Sequence, residues 1–90
     1  MNQVRRTKRT GGRAPAPKPR GGLRQILLYP GEDRYWVAEC PSLPGCVTQG
    51  RNKAEAITNI REAIQAYVAA LDADRLPVPE ETFEGILVAV

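Results

Sequence analysis

The spacing of apolar residues changes along this chain from a period of two to a period near 3.6, and the change divides it into elements. Ile26-Leu27-Leu28-Tyr29, within the stretch Leu23 to Tyr29, is a short apolar run that fits a strand buried on at least one face. Pro30-Gly31-Glu32-Asp33 is a turn cluster. Tyr35 to Cys40 then alternates, with Trp36, Ala38 and Cys40 on one face and Tyr35, Val37 and Glu39 on the other. Together the two runs predict an antiparallel hairpin. Pro41 ends the second strand because it has no N–H for a ladder. Pro44-Gly45 presets a tight turn. Cys46 to Gln49, with β-branched Val47 and Thr48, predicts a third strand, and Gly50 supplies the backbone freedom to leave it.

The helical period begins just after. Asn52 is an N-cap candidate with Glu55 three residues later, a capping-box variant. Ile57, Ile60, Ile64, Tyr67, Val68 and Leu71 follow in steps that keep one apolar stripe, while Arg61, Glu62 and Gln65 lie off it. The spacing predicts a helix from about Lys53 to Ala73, stopped by Pro77 and Pro79. After an acidic loop at Glu80, Glu81 and Glu84, Ile86-Leu87-Val88-Ala89-Val90 predicts a fourth strand. That run has no polar alternation, which points to burial on both faces or to pairing with a second copy. The expected fold class is α+β: a small β-β-β-α-β domain over residues 23–90, with a mainly antiparallel sheet and one helix on one face.

Charge adds a division that the hydrophobic pattern does not show. Residues 1–24 hold eight basic residues and no acid; residues 25–90 hold the other five of the 13 basic residues and all ten acids, a net charge of −5. Residues 1–22 are rich in Arg, Lys, Gly and Pro, too apolar-poor to offset the entropy of ordering, and are read as a disordered basic arm. Arg5, Arg6, Lys8, Arg9 and Arg13 are its candidate phosphate contacts, which would make nonspecific, salt-sensitive nucleic-acid binding an alternative function. The arm has no aromatic residues for base stacking. A domain this small buries only ~60% of its unfolded surface, so self-association as a homo-dimer or higher oligomer is expected to support it.

The chemistry on offer is sparse. The chain has two cysteines, no histidine and no apolar run of membrane-spanning length. Cys40 and Cys46 flank the turn and read as small buried residues, with a hairpin disulfide as the alternative; without histidine or a second cysteine pair they make no metal site. Glu39 is alone on its strand, and Glu55 and Glu62 are seven residues apart on the helix, so no set of carboxylates for two-metal chemistry is expected. The reading is of a non-enzymatic, cofactor-free, metal-free cytoplasmic protein with no membrane partner.

Tyr35-Trp36-Val37-Ala38-Glu39-Cys40-Pro41-Ser42-Leu43-Pro44-Gly45-Cys46-Val47-Thr48-Gln49-Gly50, followed by a capped helix containing Glu55-Ala56, resembles the HicB-like antitoxin family. The resemblance covers roughly residues 23 to 90. It implies a degraded ribonuclease-H-like fold and a partner, a small basic HicA-type toxin that cleaves mRNA and is masked by the antitoxin. The acidic domain agrees with a basic partner. Many members continue into a C-terminal helix-turn-helix or ribbon-helix-helix domain, and no such domain is expected by Val90. The basic arm is not part of the family pattern. Glu32, Asp33, Tyr35, Trp36 and Glu39 are the candidate partner contacts, since they are the acids and aromatics of the hairpin.

Overall fold

The computed structural model describes residues 21–90. Strands β1 (Leu27–Pro30), β2 (Trp36–Glu39) and β3 (Val47–Gly50) form one antiparallel sheet in that order, and helix α1 (Lys53–Ala73) packs on one face, chiefly over β3 and β2. The three expected strands and the helix are present. The arm residues Arg5, Arg6, Lys8, Arg9 and Arg13 lie outside the described residues.

Register follows from the turns. Residues 31–35 close the first hairpin through Gly31 N–H to the Tyr35 carbonyl (2.7 Å) and Tyr35 N–H to the Glu32 carbonyl (3.0 Å), with Asp33 and Arg34 at positive φ. This pairs Leu28 with Ala38, and β2–β3 pairing sets Ala38 against Thr48. The second connection is tighter. Cys40 N–H donates to the Cys46 carbonyl at 2.9 Å, Leu43 N–H to the Cys40 carbonyl and Cys46 N–H to the Leu43 carbonyl at 3.0 Å each. Gly45 has φ 83°, a conformation that glycine adopts without steric cost. The turn folds inward, so Leu43 is fully buried between Cys40 and Cys46 in the cluster that also holds Ala38, Ala56 and Ile60.

Both cysteines are free and buried, as their reading as packing residues requires. Burial, and then the neighbouring Cys40, push the Cys46 thiol above its ordinary pKa, which keeps it protonated and poorly nucleophilic. Tyr67 ties the helix to the same turn, its hydroxyl donating to the Pro44 carbonyl at 3.0 Å.

Helix α1 has the expected ends with two differences. The Asn52 side chain accepts from Glu55 N–H at 2.8 Å. The returning Glu55 carboxylate accepts from the backbone N–H of Arg51 (2.7 Å) rather than from that of Asn52, and also pairs with the Arg51 guanidinium at 3.0 Å. That guanidinium, then the Arg51 N–H, lowers the Glu55 pKa. At the other end the helix stops before the prolines. Leu76 N–H donates to the Leu71 carbonyl and Arg75 N–H to the Asp72 carbonyl, with Arg75 at φ 58°, which is a Schellman turn with arginine where glycine is usual. Replacing Asn52 with alanine removes the cap and should cost about 1 kcal/mol in urea unfolding, whereas Asn52→Ser should stay near wild type.

The fourth strand is not formed: residues 76–90 have no regular secondary structure. The Glu81 carboxylate holds this segment beside the start of β1, accepting from Gln25 N–H (2.9 Å) and from Ser42 Oγ (3.0 Å), with Arg24 donating to the same Ser42 hydroxyl. Beyond that clamp Ile86, Leu87, Val88 and Val90 are exposed. A strand exists only where a ladder partner satisfies its backbone, and among the described residues this segment meets none.

Gly50 has a different role from the one its position suggests. It is not among the glycines with positive φ. A Cβ there would lie 2.5 Å from Ala56 N and 2.9 Å from Ala56 Cα, so what the site needs is the absence of a side chain where β3 passes under the first turn of α1.

Candidate partner-docking face

The register sorts side chains by face. Leu28, Trp36, Ala38 and Cys40 lie toward the helix side, packed into or against the core. By strand alternation the opposite face carries the cross-strand rows Leu27–Glu39–Val47 and Tyr29–Val37–Gln49, with Tyr35 just beyond. Leu27, Tyr29 and Val47 are 47, 41 and 49% exposed, and among the described residues no element covers them. Within this apolar surface the Tyr29 hydroxyl donates to the Glu39 carboxylate at 3.1 Å. That bond raises the Tyr29 pKa, so the phenol keeps its proton and the pair presents one negative charge on an apolar ground. Such a surface can dock against a protein with both apolar and basic groups.

Glu39 is engaged with Tyr29 and Glu55 with Arg51, each in a local contact on a different element. Among the described residues no three His, Cys, Asp or Glu side chains are grouped to hold a metal ion. No helix among them is long and apolar enough to cross a membrane.

A model of the HicB-like antitoxin of bacterial toxin-antitoxin systems matches residues 25–87, from the threshold of β1 into the C-terminal run. The chain belongs to the HicB-like antitoxin family. Its relatives include the UPF0150 protein of Thermoplasma acidophilum, 43% identical over 63 residues that cover 70% of this chain and 91% of that protein. A UPF0150 protein of Synechocystis is 46% identical over 56 residues, 62% of this chain and 71% of the relative. One from Helicobacter pylori is 44% identical over 45 residues, 50% of this chain and 62% of the relative. No solved structure matches the chain.

In this HicB-like antitoxin the five candidate contact residues do not form one patch. Glu32 and Asp33 are exposed in the first hairpin turn. Tyr35 and Glu39 share the uncovered sheet face. Trp36 is on the other side, half-buried against the core, with the Lys53 ammonium 4.7 Å from its ring centroid. That contact covers part of the indole with a cation from the first turn of α1. The hydrophobic pattern did not single out Leu27, Tyr29 and Val47 as site residues. The alternation on β2 was the available signal, but it reaches the neighbouring strands only through a register that depends on both turns.

Proposed function

We propose that this antitoxin binds and masks a small basic HicA-type mRNA-cleaving toxin through the uncovered sheet face, and that it performs no reaction of its own. The observation behind this reading is the apolar surface of Leu27, Tyr29, Val37 and Val47 around Glu39, on a domain whose residues 25–90 have a charge of −5. A ribonuclease must be basic where it grips phosphate. An apolar platform with an acidic centre meets such a surface with matching charge and excludes RNA from it. Tyr35 and Glu39 supply the anchor and the charge, and Glu32 and Asp33 extend the acidic rim. The buried, unbridged thiols of Cys40 and Cys46 support a reducing, cytoplasmic setting.

Co-expression with the small basic protein encoded beside it, followed by titration of the purified pair, tests the assignment. Glu39→Lys and Tyr35→Ala should each weaken the complex by at least about tenfold, mainly through faster dissociation, and restore RNA cleavage. Unchanged affinity in both variants, or a neighbour that neither binds nor cleaves RNA, would remove the reading.

A further inference from the structure

Among the described residues the sheet leaves one edge open, with a largely apolar groove near it. Cys40 N–H bonds toward β3, so alternation turns Val37 and Glu39 toward β1, where they meet Tyr29 and Leu27. The backbone groups of Ile26 and Leu28 then point away from the sheet, and Pro30, next in that row, has no N–H to offer. The far edge is different, because Asn59 Nδ2 donates to the Gln49 carbonyl at 2.8 Å and the helix guards β3. Since α1 sits over β2 and β3, a groove of about 640 Å³ remains between the helix and residues 21–26, the approach to β1. Its apolar lining is Leu23, Ile26, Ile57, Ile60, Ile64 and Val68.

The same chain holds a segment with the opposite need. Gly85–Val90 is uncharged, and Ile86–Val90 is wholly apolar; Ile86 and Val88 are 74 and 71% exposed, and Leu87 and Val90 are fully exposed. Its composition is that of a strand buried on both faces. Five extended residues span about 17 Å, the length of Ile26 to Pro30. The segment is tethered at the end of the sheet, because Glu81 is fastened to Gln25 and Ser42 beside the start of β1, yet beyond that clamp it stays exposed.

We propose that Ile86–Val90 of one copy adds as a strand to the open edge of β1 in a second copy, and that two copies exchange these segments reciprocally. Ile86, Val88 and Val90 enter the groove against Ile26 and the Ile60–Ile64 face of α1. Leu87 falls on the opposite face, next to Leu27 and Tyr29. This arrangement accounts for the missing polar alternation, since the receiving edge offers apolar side chains on both faces. A second copy suits the segment better than a basic toxin does, because Gly85–Val90 has no acidic side chain to meet a basic surface. Each copy holds one donor and one acceptor, so a two-fold pair leaves neither unused. The exchange goes beyond the masking of a toxin and stands or falls without it.

Light scattering on the full chain, combined with hydrogen exchange, tests the exchange. The wild type should have the mass of a dimer, with the Ile26 and Leu28 amides protected. The double variant Ile86→Asp, Val88→Asp changes largely exposed side chains outside the sheet and helix, so its helical circular dichroism at 222 nm should be unaltered. It should be monomeric, and those two amides should exchange ~10-fold faster or more. A monomeric wild type overturns the proposal, whether its tail is free or folded back on itself. So does a double variant that stays dimeric, or one that becomes monomeric without faster exchange at Ile26 and Leu28.

Discussion

Replacing Leu43 with alanine should cost about 3 kcal/mol, the largest single loss expected for a side chain in this domain. Leu43 sits in the five-residue connection between Cys40 and Cys46, where a leucine is ordinarily a surface residue. Here the three backbone hydrogen bonds of the connection turn it inward, and it is 0% exposed among Cys40, Cys46, Ala38, Ala56 and Ile60. Its neighbours are held by the sheet and the helix and cannot close the space that truncation leaves. A domain of about 70 residues has a total stability on the order of 4–10 kcal/mol, so this loss is a large part of it. Urea unfolding should show a lower midpoint at an unchanged slope. Leu27→Ala provides the contrast. Leu27 is 47% exposed on the uncovered sheet face, and its truncation should shift the midpoint little. Equal losses at the two positions would mean that the connection does not fold inward in solution.

Gly50→Ala should have the next largest effect, about 2–3 kcal/mol and roughly 10 °C or more in thermal midpoint for a domain of this size. The added Cβ would meet Ala56 N at 2.5 Å, Glu55 C at 2.8 Å and Ala56 Cα at 2.9 Å, all of them backbone atoms. No rotamer change relieves such a contact, so either β3 or the first turn of α1 must move. The helix start resists movement. It is held by the Asn52 cap, by the three bonds from Arg51 to Glu55 and by the full burial of Ala56. Gly45→Ala makes a useful comparison, because nothing lies within 4 Å of a Cβ there and only the backbone strain of φ 83° applies. Thermal melts at 222 nm should place Gly50→Ala clearly below Gly45→Ala, and the reverse order would show that conformational freedom is the requirement at Gly50.

The docking face and the exchanged segment divide the molecule's surface between two uses. The uncovered sheet face combines apolar side chains with the Tyr29–Glu39 pair and suits a charged partner. The open β1 edge and its groove are largely apolar, with Arg24, Arg61, Gln65 and Asp72 at the groove's sides, and suit the uncharged side chains of the C-terminal run. Leu27 and Tyr29 lie where the two surfaces adjoin, so pairing of two copies would extend the docking face across the added strand. Affinity for a toxin should then respond to Ile86→Asp, Val88→Asp less than to Glu39→Lys, because the charge remains on β2.

Several features of this protein were legible in the order of its residues, because they depend on neighbours within a few positions. Asn52, Glu55 and the apolar stripe from Ile57 to Leu71 define α1, since a helix meets its own hydrogen bonds locally. The alternation from Tyr35 to Cys40 separates Trp36 from Tyr35 by face, and Pro44-Gly45 marks the turn. Other features involve atoms far apart in the chain, and only the tertiary structure decided them. The burial of Leu43 depends on what the Cys40–Cys46 connection folds against, and the requirement at Gly50 on how closely α1 crosses β3. The meeting of Leu27, Tyr29 and Val47 with Glu39 depends on two registers, in which a slip of one residue would turn every side chain to the other face. Ile86–Val90 shows the limit from the other side. Its residues state a preference for the extended, buried state, but a strand is a relation between two segments, and its formation depends on whether a partner edge is within reach.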